Sequence, residues 1–523
     1  MQKEMKKSTV IIALVVIILV QLLVRIYVGN QKEYFHIDEA YSYSLMNYDK
    51  IQITDNDDFY NNWHTKDYYI DYLAVNDDEV SDFKQVYVNQ KNDVHPPLFY
   101  LLLRIAATCT VNEFTKWTGL ILNMIIFVFS SIFIYLIGER LFKSKPMALF
   151  VCLITGLTMG SLDTTAYIRM YELANMFVLI LTYLHMRLYE KEEIQIKDLI
   201  PIAIVALLAS LTHYYTIIYM AVLFIIFAIK YIKNKQYKNL AKYVATFAIA
   251  AILSLAIFPY SLQHMFGGYR GQGAASNLAN MDTFFQDMGQ YLNVMNKGAL
   301  NNFAIILIII YIILARKRKQ NNQSGEVNKE TDLIFFPTII YFILVAKMSP
   351  YKELRYMMPI IPLTTMYVIY TFNRLFKDTL KGKKAEIATV VLFTIMAISP
   401  LFTGMKLDFT YTKMNHLADK MEEKSDIPAL YIFDETNIRF LDDIYMLTKI
   451  DESYIMSSTK ANIENIVNVL NAKDTSKGLI FVYNYGNSGV DIDKIKNEIM
   501  GKYNYTQAED VQLLNIGKVI YLH

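Results

Sequence analysis

Apolar stretches long enough to cross a bilayer recur along the chain as far as about residue 404, and they leave few folds open. They lie at about 8–28, 117–138, 146–162, 171–188, 199–213, 214–230, 240–262, 301–315, 333–347, 356–374 and 385–404. Blocks of roughly 15–23 residues match a hydrocarbon core about 30 Å thick. Inside that core each backbone polar group needs an internal partner, so such blocks are helices. Composition agrees: 54% of residues are hydrophobic and 19% charged, against about a quarter charged in soluble domains. A net charge of +2 without basic runs among aromatics excludes single-strand nucleic-acid binding. Two cysteines, Cys109 and Cys152, exclude a disulfide framework and a Cys/His metal box. Cysteine-free outer loops suit a bacterial envelope.

The basic residues set the orientation. Lys3/Lys6/Lys7, Arg140/Lys143/Lys145, Arg187/Lys191/Lys197, Lys230/Lys233/Lys235/Lys238, Arg316 to Lys319 and Arg374/Lys377/Lys381/Lys383/Lys384 all fall on alternate connections. The positive-inside rule makes that side cytoplasmic. About eleven spans follow, with the N-terminus inside and the C-terminus outside. The apolar run after Lys7 is too long for a signal-peptide core and lacks a small-residue cleavage site, so it reads as an uncleaved first span. Leu98 to Thr110 is too short to cross. It reads as a re-entrant or interfacial helix opened by Pro96-Pro97.

The expected fold is a polytopic α-helical membrane protein with a small extracytoplasmic α/β domain. Residues 1–404 form the membrane domain, including an outer loop at 29–97 and the re-entrant segment 98–110; residues 405–523 form the second domain. A further outer loop, 263–300, contains Gly267-Gly268-Tyr269-Arg270-Gly271-Gln272-Gly273 and reads as mobile. In the C-terminal part, strands are expected at Ala429–Phe433, Gly478–Tyr483, Val511–Asn515 and Val519–Leu522. Helices are expected at Ala461–Leu470 and Ile492–Met500, and a hairpin turn at Asn515-Ile516-Gly517-Lys518.

Under this topology the unusual polar residues gather at the outer face: Asp38-Glu39, His95, Asp163 to Glu172, His213-Tyr214-Tyr215, and Lys347 to Tyr356. Ionisable groups near membrane depth are costly unless they face a cavity, which marks them as functional candidates. Their types suit one reaction. Displacing a lipid phosphate from an anomeric carbon needs a carboxylate to take the acceptor's proton, here Asp38 or Glu39. It also needs cations on the leaving phosphate, here Arg169, Arg355 and Lys352. Adjacent carboxylates on a helix diverge by about 100°, so one of the pair serves, and Asp38 is the choice. His95, Asp163, Tyr167, Tyr171, His213 and Tyr214 are the candidate substrate contacts.

Four segments resemble the GT-C glycosyltransferases, in the branch of protein O-mannosyltransferases, aminoarabinose transferases and RgtA/B/C/D-like enzymes. Ile37-Asp38-Glu39-Ala40-Tyr41 is similar to the acidic motif of their first outer loop. Val94-His95-Pro96-Pro97-Leu98-Phe99-Tyr100 is similar to their HPPLYY stretch. Ile168-Arg169-Met170-Tyr171 is similar to their ARMY segment, and Leu354-Arg355-Tyr356-Met357-Met358-Pro359 to their RYLLPALP segment. The resemblance covers about 1–400. It implies an inverting transferase with a polyprenyl-phosphate-linked sugar donor and the Asp of the pair as base. It implies no nucleotide-sugar site. The acceptor's identity does not carry over from the family; an extracytoplasmic envelope glycan, lipid or protein is expected.

Plainer readings stand beside these. The acidic pair also suits a solvated loop, His95 a helix cap, and the arginines a snorkelling role. The tyrosines also suit an interfacial belt. Asp55-Asn56-Asp57 matches a DxD metal motif but faces outward, where nucleotide sugars are absent. Asp163, Glu172 and the acidic loop offer oxygen ligands to Mg²⁺ or Ca²⁺, yet no spacing requires a metal or other cofactor. A transporter or flippase of lipid-linked glycans would place polar groups through mid-membrane, whereas here they sit at one end of the spans. A sensor presenting the C-terminal domain leaves the two arginines unexplained.

Overall fold

A computed structural model describes residues 5–49, 52–320, 328–380, 382–414, 416–434, 440–484, 490–514 and 517–523. In chain order, α1 (Lys7–Asn30) leads to α2 (Ile37–Asn47), β1 (Asn62–Thr65), α3 (Lys66–Leu73), α4 (Lys84–Asn92) and α5 (Leu98–Ala107). Next come α6 (Lys116–Phe142), α7 (Lys145–Thr155), α8 (Met159–Ala166), α9 (Tyr171–Tyr189), α10 (Ile196–Ser210), α11 (Thr216–Lys233) and α12 (Tyr237–Ile257). They are followed by α13 (Tyr269–Ala279), α14 (Phe284–Leu300), α15 (Ala304–Gln320), α16 (Asp332–Met348), α17 (Ile361–Thr379) and α18 (Lys384–Thr403). The chain ends with α19 (Leu417–Glu423), β2 (Ala429–Phe433), α20 (Phe440–Leu447), β3 (Glu452–Ser457), α21 (Ile463–Leu470), β4 (Leu479–Asn484), α22 (Ile492–Tyr503), β5 (Ala508–Leu513) and β6 (Gly517–Leu522).

Two compact units result. The first holds 1–28, 94–99 and 120–407; the second holds 29–93, 100–119 and 408–523. The second therefore takes in most of the segment expected to be an outer loop, because β1 and its flanking helices build onto the C-terminal sheet.

The first unit is a helical bundle. Among the described residues, six helices are long and apolar enough to cross a membrane, and eight if each of two bent pairs counts as one span. That is fewer than the eleven expected from hydropathy. α10 is only 15 residues long, while α9 and α17 carry ionisable residues at their ends. The apolar block at 146–162 is broken: α7 and α8 meet at 59°. A break inside hydrocarbon exposes carbonyl groups, and α1 satisfies them. Gln21 Nε2 donates to Cys152 O at 2.8 Å, and Arg25 Nη1 donates to Gly156 O at 3.0 Å. The Thr158 hydroxyl then caps α8.

The second bend, 86° between α14 and α15, turns on Asn301 and Asn302, both in the left-handed region. Asn296 Oδ1 accepts from Ala304 N at 2.9 Å, and Asn301 Oδ1 accepts from Met159 N at 2.9 Å. The region at 263–300, expected to be a mobile loop, is instead helical: a wide turn at Gln263–Gly267 runs into α13 and then α14.

The second unit is built on a six-stranded mixed sheet in the order β1-β3-β2-β4-β6-β5. β2 lies parallel to β3 and β4, and the other pairings are antiparallel. Every residue of β2 is buried, as a central parallel strand with two covered faces requires. Leu430 and Ile432 pack with Leu470, Ile495 and Ile499 of α21 and α22. On the opposite face Tyr431 and Phe433 meet Phe440 of α20, which also touches Phe59. Strands were expected at β2, β4, β5 and β6; β1 and β3 were not. Residues 515–516 of the expected hairpin turn lie outside the described residues.

α8 and α14 approach at two glycines. A Cβ on Gly160 would stand 2.8 Å from Gly298 O and 2.6 Å from Ile361 Cδ1. Gly160→Leu should therefore force the helices apart and cost about 1–3 kcal/mol. A lowered thermal midpoint in detergent checks this; an unchanged midpoint contradicts the close approach.

Candidate active site

In the first unit, four short segments bring most of the expected polar residues together. The linker Tyr167–Met170 joins α8 to α9. Arg355 opens the tight turn Leu354–Ile360 before α17. His213 sits in the turn between α10 and α11, and Leu98 N donates to Leu211 O at 3.0 Å, tying the His95-Pro96-Pro97 segment to that turn.

The contacts form a chain that runs from one arginine to the other. Arg355 Nη1 donates to Tyr167 Oη at 3.0 Å. Tyr167 stacks on Tyr171 at 5.8 Å, Tyr171 lies 5.2 Å from the His213 ring, and His213 lies 6.2 Å from His95. His95 Nδ1 stands 3.5 Å from Arg169 Nη2. Both arginines are buried, at 4% and 5% exposure. Arg355 also pairs with Glu353 at 3.0 Å and lies 5.1 Å from the Tyr356 ring centre. Two forks with five donors each, set among aromatic rings, suit an oxyanion with several acceptor oxygens.

Three expected residues stand differently. Lys352 donates to Ala346 O at 2.8 Å and pairs with Asp287 at 3.3 Å, alongside Lys347 at 2.9 Å. Its ammonium is thus engaged by Asp287 and by backbone carbonyls. Tyr214 Oη bonds His264 Nδ1 at 2.8 Å and lines an apolar cavity among α10, α11 and α12. Asp163 is fully buried in α8, where its carbonyl accepts from Tyr167 N at 2.9 Å.

The acidic pair lies in the second unit, in the first turn of α2. His36 caps this helix: its Nδ1 accepts from Asp38 N at 3.1 Å, while Glu39 Oε2 accepts from His36 N at 2.9 Å. Glu39 also takes a bond from the buried Lys32 ammonium at 2.9 Å, and both side chains are sealed from solvent. Lys32 donates in addition to Phe409 O at 2.7 Å. Asp38, with its side chain 28% exposed and 3.6 Å from His36 Nδ1, is the more exposed carboxylate of the two.

The C-terminal part of the same unit holds this helix from the other side. Asp442 Oδ1 accepts from Ile37 N at 2.9 Å, and Glu33 N donates to Thr410 O at 2.9 Å. Asp443 accepts from the hydroxyls of Tyr34 and Tyr431. Burial pushes the Asp443 carboxyl up to about 6, against the pull of those two donors. Among the described residues, no three His, Cys, Asp or Glu side chains gather as a metal-holding group.

Two family models match the sequence: the dolichyl-phosphate-mannose-protein mannosyltransferase family over residues 94–259, and the Alg9-like mannosyltransferase family over residues 291–446. The chain is a membrane glycosyltransferase of the GT-C superfamily. No curated protein matches its sequence. Among solved structures, the glycosyltransferase is similar to ArnT from Cupriavidus metallidurans bound to undecaprenyl phosphate, with a TM-score of 0.49, 10% identity and 97% of each chain covered. It is also similar to the archaeal oligosaccharyltransferase AglB from Archaeoglobus fulgidus in complex with an inhibitory peptide and a dolichol-phosphate. That match has a TM-score of 0.45 and 11% identity, and covers 91% of this chain and 69% of the other.

Of the residues that hold the Tyr167–Met170 linker of the glycosyltransferase, Arg25, Asn123 and Ser130 are not among the candidates read from the sequence. Arg25 Nε donates to Thr165 Oγ1 at 2.9 Å, and Thr165 Oγ1 lies 3.1 Å from Glu172 Oε2. Asn123 Nδ2 donates to Thr165 O and Tyr167 O, and Ser130 donates to Glu172. Arg25 and Gln21 were legible as ionisable and polar residues inside an apolar span, a signal of function or of a hidden partner.

Removing Arg25 leaves Glu172 buried beside an opened helix corner. Arg25→Met should cost about 3–5 kcal/mol, seen as a large drop in thermal midpoint, with part of it recovered in Arg25→Met/Glu172→Gln. Asp443 gives a pH signature. Its folded carboxyl titrates above the ordinary aspartate value of 3.8, so the folded state keeps a proton that the unfolded chain releases. Stability is lost as pH rises from about 4 to about 6. The advantage of Asp443→Asn over the native chain should grow across that window and then level. Both tryptophans, Trp63 and Trp117, lie in this unit, so their fluorescence on heating reads it out. A difference flat with pH would contradict the assignment.

Proposed function

We propose that this glycosyltransferase moves a sugar from a polyprenyl-phosphate carrier to the hydroxyl of an extracytoplasmic acceptor, with inversion at the anomeric carbon. The observation that carries the reading is the pair of buried arginines linked through a chain of tyrosines and histidines. Burying two guanidinium groups at membrane depth is expensive, and a phosphate that is both substrate and leaving group gives the pair a purpose. The family model over residues 94–259 is named for a dolichyl-phosphate-mannose donor, the same chemical class of carrier.

In this reading Asp38 accepts the acceptor's proton as that oxygen bonds the anomeric carbon. The bond from that carbon to the phosphate oxygen breaks, and polyprenyl phosphate leaves with its new charge held by Arg169 and Arg355. His95, Tyr167, Tyr171 and His213 line the sugar and phosphate contacts. The apolar cavity of about 390 Å³ among α10, α11 and α12, with Tyr214 in its wall, takes part of the isoprenoid chain. The topology that goes with it has eleven spans, the N-terminus in the cytoplasm and the α/β unit outside.

Asp38→Asn should lower the turnover of transfer about 10²-fold or more while the protein stays folded and inserted. Arg169→Ala and Arg355→Ala should each weaken binding of a polyprenyl-phosphate analogue by about 10-fold to 100-fold, the loss expected for a charged hydrogen-bond partner. Transfer at the native rate by well-folded Asp38→Asn removes the base. Unchanged analogue affinity in both arginine variants removes the clamp.

A further inference from the structure

A second charged cavity lies at the other end of the first unit's helices. α9 begins at Tyr171, beside the two buried arginines, and its 19 residues end at Tyr189, which at about 1.5 Å per residue is about 27 Å away. There the end of α6, the end of α9, the start of α16 and the end of α17 enclose a cavity of about 610 Å³. Its wall carries five cations, Arg140, Lys143, Lys329, Arg374 and Lys377, and three carboxylates, Glu139, Glu190 and Glu330.

The carboxylates are taken up locally. Arg140 binds Glu330 through two nitrogens and Glu190 at 2.9 Å, and Glu139 bonds the Tyr135 hydroxyl. Lys143, Lys329 and Lys377 have no carboxylate within ion-pair distance among the described residues, and Lys143 and Lys329 are exposed, as is Lys377. The cavity thus presents an excess of cationic donors. Lys143 also ends α6 in the left-handed conformation, φ 50°, a position that glycine fills at less cost. Its amide donates to Glu139 O at 3.0 Å, so the strained turn is held and the lysine is kept at the cavity wall. Tyr189 and Tyr370 complete the lining, as aromatic residues do at a membrane interface.

We propose that this cavity is an anion site for a phosphate-bearing headgroup, gripped by Lys143, Lys329 and Lys377. It is distinct from the cluster around the two buried arginines and does not depend on the reading of that cluster. Its size falls in the range of small-molecule pockets, about 300–1,000 Å³, and basic pockets between helix ends suit anionic headgroups. The same chemistry would take a soluble diphosphate, and the test separates the two sources.

Full-length protein in detergent is titrated with cardiolipin, with phosphatidylcholine and, separately, with inorganic pyrophosphate, and bound ligand is counted by native mass spectrometry. Saturable binding of one cardiolipin per chain, weakened about tenfold or more in Lys143→Gln/Lys329→Gln/Lys377→Gln, supports a lipid headgroup. Saturable pyrophosphate binding with the same loss in the variant supports a soluble anion. Should the triple variant unfold, Lys143→Gln and Lys377→Gln singly carry the comparison. Binding of cardiolipin no tighter than phosphatidylcholine with no pyrophosphate bound, or affinities unchanged in the variants, would overturn the proposal.

Discussion

The arrangement of the first unit depends on one guanidinium group reaching across from the first span into a broken helix. Hydrocarbon offers no water to an interrupted helix, so the α7–α8 corner can exist only where side chains meet its carbonyls. Arg25 donates to Gly156 O, to the Ser161 hydroxyl at 2.8 Å and to Thr165 Oγ1, with its planar face 3.2 Å from the Phe127 ring centre. Thr165 passes the connection to Glu172 in the first turn of α9. Both flanks of Tyr167–Met170 are thereby pinned, and that linker carries Tyr167 and Arg169. An apolar core alone would fix the helices but not the direction of two arginine forks.

The second unit solves a matching problem with different chemistry. The two adjacent carboxylates are held differently: Glu39 takes the buried Lys32 and the cap of α2, while Asp38, beside His36, stays partly exposed. Asp442 and Asp443 fasten the start of α2 to the C-terminal sheet. The α/β part thus has a physical role in the same unit as the acidic pair, since without it the first turn of α2 would lose carboxylate, tyrosine and backbone partners.

Much of this was legible in the sequence, for identifiable reasons. Apolar length announced the helices, and four of six strands announced themselves by β-branched and aromatic runs such as Ala429–Phe433. The clustering of His95, Arg169, His213 and Arg355 followed from charge at the ends of apolar blocks. β1, Asn-Trp-His-Thr, was too short and too polar to see, because its pairing with β3 is a long-range event. The helical character of 269–300 was hidden by glycines that suggested a loop. Arg25 was visible as a charge in an apolar block, but its partners lie some 130 to 140 residues away, beyond any local pattern. Lys352, read from the sequence as a phosphate-holding cation, shares Asp287 with Lys347, a pairing set by the packing of α14 against α16.

The central claim, that the chain's chemistry is displacement of a lipid phosphate from a sugar, is tested most directly by following the phosphorus. Purified protein in liposomes is given short-chain polyprenyl-phosphate mannose and a hydroxyl acceptor mixture, and the lipid products are followed by ³¹P NMR. The account predicts conversion of the phosphodiester signal to that of polyprenyl phosphate monoester, with the transferred mannose of opposite anomeric configuration to the donor. Retention of configuration, or turnover that releases a nucleotide from a nucleotide sugar and leaves the lipid phosphodiester intact, would contradict it.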